Sequence, residues 1–290
     1  MHKHFAKMLA NNPLVGENPK KALEETWDEV EAAFRKEMDV KFEKKKETWT
    51  PPKDQPDKKC SYPGDGSTAT VVFQVGTKFF IGSCGDSTCG VIKADKTLEK
   101  FTKEHHTTDP DEVARVLKAG GEFKQKVFMV PAGFPLCCVK KVEKKLGKPR
   151  IMPGGLLVTR AFGDLHAKIP EVGGLVGGVI HTPDPIREIE LSEDWIYMVI
   201  ASDGIWDTFD HGGKVFHQIF ADEREQAEFD IAPNGVDTET EERIRRRMVK
   251  TMCQTCVDSE YWQKSDGEAD NTTAIILFFN NKHTKVKAPK

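Results

Sequence analysis

Apolar residues recur at helical spacing near the start of the chain. Steps of three and four residues separate Leu23, Trp27, Val30, Phe34 and Met38. This spacing places them on one face and predicts a helix over residues 18–46. Asn18 suits the N-cap, and Pro19 suits the first helical position.

From residue 68 onward the pattern changes to short apolar stretches separated by turns. Strands are predicted at Thr68–Val75, Lys78–Ser83 and Thr88–Ile92, and their short connections predict an antiparallel meander. Two later strands are predicted, one within Glu193–Ala201 and one at Thr273–Phe279. Sheets therefore form a large part of the predicted fold.

Further helices are predicted between and after these strands. Asp109 opens a short helix that Gly120 and Gly121 end. Apolar spacing predicts two more, around Val215–Phe220 and Ile244–Cys256. Residues 122–190 are rich in Gly and Pro, and we interpret them as an irregular excursion of the kind that often carries function.

Composition narrows the classes of protein that the chain can represent. The 290 residues carry a formal net charge of −3, so nucleic acid is not an expected partner. No apolar run approaches the roughly 18 residues of a membrane span. Seven scattered cysteines fit reduced thiols, so we expect a cytoplasmic or nuclear protein, acting as a monomer. We expect one domain over residues 1–280 and a polar tail over 281–290.

Three acidic residues lie in turns next to predicted strands. Asp203 follows an apolar strand and has Gly204 beside it, Asp270 precedes the last strand, and Asp86 lies between two strands. Each alone is more often a structural turn residue. Together they can converge at one end of a sheet, where carboxylate oxygens suit Mg²⁺ or Mn²⁺.

Other metal and phosphate chemistries find less support. The Cys253–Cys256 pair lies on a helical pattern without a second pair, so we expect core packing and not a zinc site. Cys137 and Cys138 lack the phosphate-binding loop ending in Arg of a cysteine-based phosphatase. Gly163–His166 resembles one motif of the calcineurin-like metallophosphatases, but the companion motifs are absent. No P-loop occurs.

Seven segments occur in the same order as segments of one known family. They are Gly66–Ala69 (G-S-T-A), Gly85–Ser87 (G-D-S), Thr102–His105 (T-K-E-H), Ala119–Gly121 (A-G-G), Leu157–Asp164 (L-V-T-R-A-F-G-D), Ala201–Asp207 (A-S-D-G-I-W-D) and Asp270–Thr273 (D-N-T-T). The series resembles the metal-dependent serine/threonine protein phosphatases of the PPM, or type 2C, group. Glu104 replaces an Asp of the family pattern, and Thr159 replaces a Ser.

The resemblance implies a fold, an activity and a set of site residues. It implies an α+β fold in which a β-sandwich is flanked by helices in α-β-β-α layers, with an active-site flap within residues 122–190. It implies that Asp203 and Asp270 bind the first of two catalytic Mg²⁺ or Mn²⁺ ions, with Gly204 counted in the metal site. Asp86 with Asp203 would bind a weaker third ion. The implied substrates are phosphorylated proteins.

The sequence also departs from the family pattern. The E-D pair and the D-G-H-G-G motif that precede the first long helix of the family have no counterpart, so we expect a domain truncated at its N-terminus. Two interpretations stay open. The chain is a fragment of an active enzyme, or it is a short form that acts as a catalytically weak or inactive binding module.

Overall fold

The chain folds into helices and mostly short strands. The computed structural model describes residues 2–56, 60–131, 142–210, 238–258 and 271–279. Its helices are α1 (His2–Asn11), α2 (Pro19–Thr48), α3 (Pro110–Lys118), α4 (Leu165–Lys168), α5 (Asp203–Asp210) and α6 (Thr238–Val257). Its strands are β1 (Gly66–Ser67), β2 (Ala69–Val75), β3 (Lys78–Cys84), β4 (Thr88–Lys93), β5 (Leu98–Lys100), β6 (Glu122–Lys124), β7 (Val127–Pro131), β8 (Val142–Leu146), β9 (Arg150–Met152), β10 (Phe162–Gly163), β11 (Arg187–Glu190), β12 (Trp195–Ala201) and β13 (Ala274–Phe278). The predicted mixed α+β class is confirmed.

Contacts divide the chain into two compact units. Unit 1 consists of residues 1–69, 84–86 and 104–186, and unit 2 consists of residues 70–83, 87–103 and 187–290. The expectation of one domain over residues 1–280 stays a prediction. The predicted helix at Val215–Phe220 and the tail at 281–290 lie outside the described residues.

None of the described helices combines the length and the apolar composition needed to cross a membrane.

Unit 2 contains two antiparallel sheets with the strand orders β11-β3-β2 and β13-β12-β4-β5. The predicted meander is therefore wrong in one respect, because β3 and β4 belong to different sheets. The connection between them is buried at Gly85 and Asp86, so it is not an exposed hairpin turn. Almost every residue of β3 and β4 is also buried, as expected for strands covered on both faces.

Aromatic side chains fill the space between the two sheets. The ring of Trp195 lies 5.6 Å from Phe79, 5.2 Å from Phe101 and 5.6 Å from Phe279, measured between centroids. The pairing of β12 with β4 shifts register between Trp195 and Tyr197. This β-bulge adds a residue and lets Trp195 join Met198 in the core between the sheets.

Helices α5 and α6 cover the other face of the β12 sheet. Tyr197 and Val199 alternate with Met198 along β12 and pack with Trp206 of α5 and Met252 of α6. Other members of this cluster include Cys256, with Cys253 packed against it. The prediction that the two cysteines serve core packing is confirmed. Unit 2 thus has three layers, which are one layer of helices and two sheets.

Unit 1 is built on the long helix α2, which the apolar spacing predicted. Asn18 caps the helix by accepting a hydrogen bond from the Lys21 backbone N–H, as predicted. Trp27 is fully buried between Phe5 of α1 and Phe162 of β10 and donates a hydrogen bond of 2.7 Å to the carbonyl of His181. Helix α1, which the sequence analysis did not predict, is thus fixed through this aromatic group.

Residues 122–190 are more regular than predicted. Within the described ranges, β6 pairs with β9, and β7 pairs with β8 as a hairpin ladder. Sequence periodicity missed these strands because they are only three to five residues long.

We expect Trp27→Ala to lower the free energy of unfolding by about 3–5 kcal/mol, because it removes a fully buried ring and leaves a carbonyl unpaired. Trp49→Ala is the matched control, since Trp49 is half-buried at the end of α2. Urea unfolding followed by far-UV circular dichroism measures both. Equal losses of unfolding free energy in the two variants would contradict the conclusion that Trp27 holds α1, α2 and β10 together.

Candidate functional site

Asp203 lies where strand β12 passes into helix α5. The strand ends at Ala201, and Asp203 is the first residue of the helix. The side chain is half-buried, and its Oδ1 accepts a hydrogen bond of 2.9 Å from the Gly204 N–H. The predicted placement of Asp203 at a strand end is confirmed, and its carboxylate also has the local turn contact that such residues often make.

Hydrogen bonds hold this turn against the segment that leads into β13. The Ser202 N–H donates to the Thr273 carbonyl at 3.0 Å, and the Thr273 N–H donates to Ser202 Oγ at 3.1 Å. Ser202 Oγ in turn donates to the carbonyl of Asn271 at 3.3 Å. Because Ala201 pairs with Ala274, the end of β12 and the start of β13 lie together at one end of the sheet. We call residues 202–204 and 271–273 the strand-end clamp.

Gly204 makes the close approach within the strand-end clamp possible. A Cβ atom added to Gly204 would lie 2.7 Å from the carbonyl oxygen of Asn271, which is closer than real Cβ contacts come. The neighbouring atom belongs to backbone, so it cannot move aside as a flexible side chain would. The two segments therefore require glycine at this position.

Asp270, the residue before Asn271 in the sequence, lies outside the described residues. Among the side chains that the structure does describe, no three of the His, Cys, Asp or Glu type lie close enough together to bind a metal ion. The described donors alone thus do not complete a metal site. No catalytic step through a metal ion follows from them.

Asp86 belongs to unit 1 and is buried, with 8% of its surface exposed. Its Oδ2 lies 3.9 Å from His106 Nδ1, and His106 Nε2 lies 3.2 Å from Glu104 Oε2. The contact with Glu104 raises the pKa of His106 against the effect of burial, and the charge of Asp86 adds to the increase. Asp86 is therefore already engaged in an electrostatic cluster within its own unit.

A buried charge network in unit 1 is centred on Glu112. Arg160 donates to Glu112 Oε1 at 2.6 Å, Arg115 donates to Oε2 at 2.8 Å, and the Thr159 hydroxyl also donates to Oε2. Burial alone would raise the pKa of Glu112, but these hydrogen bonds from Arg160, Arg115 and Thr159 outweigh it and hold the pKa well below its usual range. The carboxylate is therefore ionised and fully paired.

The network joins separate segments of unit 1. Arg115 of α3 also donates to the carbonyls of Gly177 and Gly178, at 2.6 and 3.0 Å. Arg160 lies 3.1 Å from Asp184, whose Oδ1 is in turn 3.3 Å from the buried His105 Nε2. Helix α3 is thus tied to the segments around residues 160 and 178.

Glu112 was not predicted from the sequence, although Thr159 and Arg160 lie within the family-like segment Leu157–Asp164. One signal was available. Glu112 stands four residues before Val116 on α3, and both are buried, so an acidic residue lies on the apolar face of the helix. A carboxylate in such a position needs a buried cationic partner.

The sequence of one protein family matches most of this chain. The sequence model of the family described as Protein phosphatase 2C matches residues 2–238. The human Protein phosphatase 1G is 28% identical to this chain over 231 residues, which are 78% of this chain and 35% of that protein. The Probable protein phosphatase 2C 76 of Arabidopsis thaliana is 26% identical over 291 residues, covering 100% of this chain and 50% of that protein. The chain therefore spans about a third to a half of the length of these relatives.

Solved structures share the fold. The serine-threonine phosphatase 2C from Toxoplasma gondii superimposes with a TM-score of 0.58 and 18% identity, covering 96% of this chain and 74% of that one. A C. elegans sex determining protein gives a TM-score of 0.56 and 16% identity, with 95% and 50% coverage. At these identities the likeness concerns the fold alone.

We expect Glu112 to make stability sensitive to acid. Its pKa is lowered in the folded protein, so the ionised carboxylate stabilises the fold above the unfolded-state pKa of about 4.3. This contribution is lost as the pH falls below that value. Glu112→Gln should cost about 3 kcal/mol at pH 7 and weaken the acid dependence, as measured by urea unfolding between pH 7 and pH 3.

Glu122→Gln is the matched control for this experiment, because the Glu122 side chain is 71% exposed. It should leave both the stability at pH 7 and the acid dependence almost unchanged. An unaltered acid dependence in Glu112→Gln would contradict the assignment of the lowered pKa to this carboxylate.

We expect Gly204→Ala to disrupt the strand-end clamp, because the added Cβ meets the Asn271 carbonyl. The free energy of unfolding should fall by about 1–3 kcal/mol, as typical of overpacking. Gly16→Ala is the control, since an added Cβ there meets nothing within 4 Å. Amide exchange at Thr273 provides a local readout, and unchanged protection in Gly204→Ala would argue against the clamp.

Proposed function

The chain belongs to the protein phosphatase 2C family, and from this membership we propose that it hydrolyses phosphoserine and phosphothreonine esters of proteins. Both the resemblance seen in the sequence and the implied fold are confirmed by the family match and the structural neighbours. Metal-dependent hydrolysis of this kind is general in the family. Phosphorylated proteins are accordingly the proposed substrates.

We assign the metal site of the proposed enzyme to Asp203 and Asp270, with Mg²⁺ or Mn²⁺ as the ion. Asp86 is proposed, on the family resemblance alone, as a ligand of a weaker third ion. Gly204 is proposed as the residue that keeps the Asp203 turn open to close approach. When bound, the ion would supply a water molecule of lowered pKa for attack on phosphorus. Oxygen donors are the ligands that these ions prefer.

The strand-end clamp is the observation that carries this assignment. It holds the Asp203 turn through three hydrogen bonds against residues 271–273, and Asp270 directly precedes that segment in the sequence. Asp203 thus lies on one side of a fixed backbone junction, and Asp270 is one residue in sequence from the segment on its other side. Rigid backbone of this kind lets carboxylates bind an ion without a large entropic cost.

Asp203 itself performs two tasks in this proposal. Its Oδ1 accepts the Gly204 N–H, which fixes the side chain with respect to the first turn of α5. The Asp203 carboxylate is the proposed ligand group. The backbone junction therefore orients the carboxylate before any ion binds.

A second candidate function is a binding module that keeps the fold and recognises phosphoproteins without turnover. The sequence favours it in one respect, since the D-G-H-G-G segment of the family pattern does not occur in these 290 residues.

The free and buried Cys84 and Cys89 support a reducing compartment, cytoplasm or nucleus, for either function.

We expect Asp203→Asn and Asp270→Asn each to abolish Mn²⁺-stimulated hydrolysis of a phosphothreonine peptide, a loss of at least about 100-fold, because each removes a charged ligand. Asp194→Asn is the control, since Asp194 is a half-exposed residue of the turn before β12. Among the described residues, its carboxylate has one ion pair, at 3.9 Å from Lys93. Phosphate release is measured with and without Mn²⁺.

Three outcomes decide between the candidates. Metal-stimulated release by the wild type and its loss in both Asn variants support the proposed enzyme. Full activity in both variants would refute the site assignment. Absence of turnover together with binding of the phosphopeptide, measured by calorimetry, would favour the binding module.

A further inference from the structure

The loop that follows helix α2 carries a threonine directly before a proline. Residues 49–53 read W-T-P-P-K, so Thr50 precedes Pro51, and Lys53 stands at the third position after the threonine. Proline-directed protein kinases phosphorylate a serine or threonine that precedes a proline, and several of them select a basic residue at that third position. The loop therefore has the sequence that these kinases recognise.

A second threonine in the chain also precedes a proline, in the pair Thr182–Pro183. No serine does so, and the third position after Thr182 is Pro185 and not a basic residue. A kinase binds its acceptor with the neighbouring residues extended, so the segment must be able to leave the surface of the folded protein. Enzymes that act on a chain segment accordingly prefer exposed loops. The two pairs can be compared on this requirement.

The backbone at Thr50 is exposed and extended. Helix α2 ends at Thr48, and Trp49 already has extended backbone angles, with φ −71° and ψ 127°. A residue before proline is restricted to the same region, which applies to Thr50. Every residue from 50 to 56 is exposed. The acceptor hydroxyl and the residues after it are thus open to a kinase.

The same loop has only local hydrogen bonds within the described part of the chain. The Gln55 N–H donates to the Pro52 carbonyl at 2.9 Å, and the Gln55 amide donates to Asp54 at 3.4 Å. Lys53 has no ion pair with any described residue. Residues 50–56 can therefore move into a kinase cleft without breaking a described hydrogen bond to another segment.

The chain on either side of the loop is fixed. Lys45 of α2 donates to the carbonyl and the hydroxyl oxygen of Ser61, at 2.8 and 3.2 Å. The Tyr62 hydroxyl donates to Asp39 Oδ1 of the same helix at 2.7 Å. Both contacts join the chain after the loop to α2, so binding of residues 50–56 by another protein leaves the helix in place.

The segment at Thr182 fails the requirement, although Thr182 is exposed as well. Its carbonyl accepts a hydrogen bond from Arg160 at 3.1 Å, and Arg160 also lies 3.1 Å from Asp184. The carbonyl of the preceding residue, His181, accepts from the buried indole of Trp27 at 2.7 Å. Extending this segment into a kinase cleft would break contacts to two other parts of unit 1.

We propose that Thr50 is the acceptor of a proline-directed protein kinase, with MgATP as the phosphoryl donor. The bond from the γ-phosphorus to the β,γ-bridging oxygen of ATP breaks, and a new bond forms from that phosphorus to Thr50 Oγ1. ADP leaves, and the hydroxyl proton passes to the catalytic base of the kinase. The product places about two negative charges beside the last turn of α2, which carries Lys45 and Lys46.

The experiment incubates the 290-residue chain with MgATP and, in separate reactions, a cyclin-dependent kinase and a mitogen-activated protein kinase. Intact-mass spectrometry and peptide mapping follow the phosphate, and we expect a single phosphate on Thr50. Thr50→Ala should abolish incorporation, and Thr182→Ala should leave it unchanged. The reactions are repeated with Asp203→Asn, so that removal of the phosphate by the chain's own proposed activity does not hide incorporation.

Two prolines next to each other provide a matched pair for the recognition pattern. Pro51→Ala should lower the kcat/KM of phosphorylation by about 100-fold, whereas Pro52→Ala should change it less than about threefold. Lys53→Ala should lower it by about fivefold, because a charged contact with the kinase is lost. Circular dichroism verifies that all three variants fold like the wild type.

A lack of incorporation with both kinases, in the wild type and in Asp203→Asn, would overturn the proposal. Phosphate on Thr182 or on another residue in place of Thr50 would overturn it too. Equal kcat/KM values for Pro51→Ala and Pro52→Ala would show that recognition does not depend on the proline after Thr50. The result is independent of the proposed phosphatase activity, since incorporation of phosphate is measured directly.

Discussion

Strand β12 is hydrogen-bonded on both edges, to β4 and to β13, and packs against a different core on each face. Its alternating side chains supply the aromatic layer between the sheets on one side and the contact with α5 and α6 on the other. A strand held in this way has little freedom to move along its axis, because a shift of one residue would exchange its two faces. Its end is therefore fixed, and so is the Asp203 turn that follows it.

The strand-end clamp extends this constraint to the turn that carries Asp203. Ser202 joins the last residue of β12 to the segment before β13 through backbone and hydroxyl hydrogen bonds. Gly204 permits the two backbones to approach closely. The position of Asp203 thus follows from sheet register and backbone contact.

Sequence patterns predicted the parts of this arrangement that depend on local rules. The apolar run of β12 and the polar turn after it placed Asp203, and the helical spacing after Asn18 predicted α2 almost to its ends. The assignment of β3 and β4 to different sheets could not be predicted, because a buried three-residue connection has the same length as a hairpin turn. Helix α1 was missed because its fixation depends on contacts with Trp27 and Phe162, which are distant in sequence.

The Glu112 network shows a second limit of sequence reasoning. A buried carboxylate is costly to remove from water, and it becomes stable only when several donors converge on it. Here those donors come from α3 itself and from residues 159–160, nearly fifty positions away. The acidic residue on the apolar face of α3 indicates that a partner is needed, but only the three-dimensional structure shows that residues 159–160 supply it.

The location of the clamp also has a consequence for the candidate metal site. Strand β13, which supplies one half of the clamp, pairs only with β12 within the described residues, and Ile275 on it is 57% exposed. Edge strands with exposed side chains open locally at a lower free energy than central strands do. Opening of β13 would release Asn271 and Thr273 from Ser202 while leaving β12 and Asp203 in place. The separation of the Asp203 turn from residues 271–273 is therefore set by how firmly β13 packs against β12. Binding of the proposed ion, if it joins the two segments, would in turn stabilise that strand.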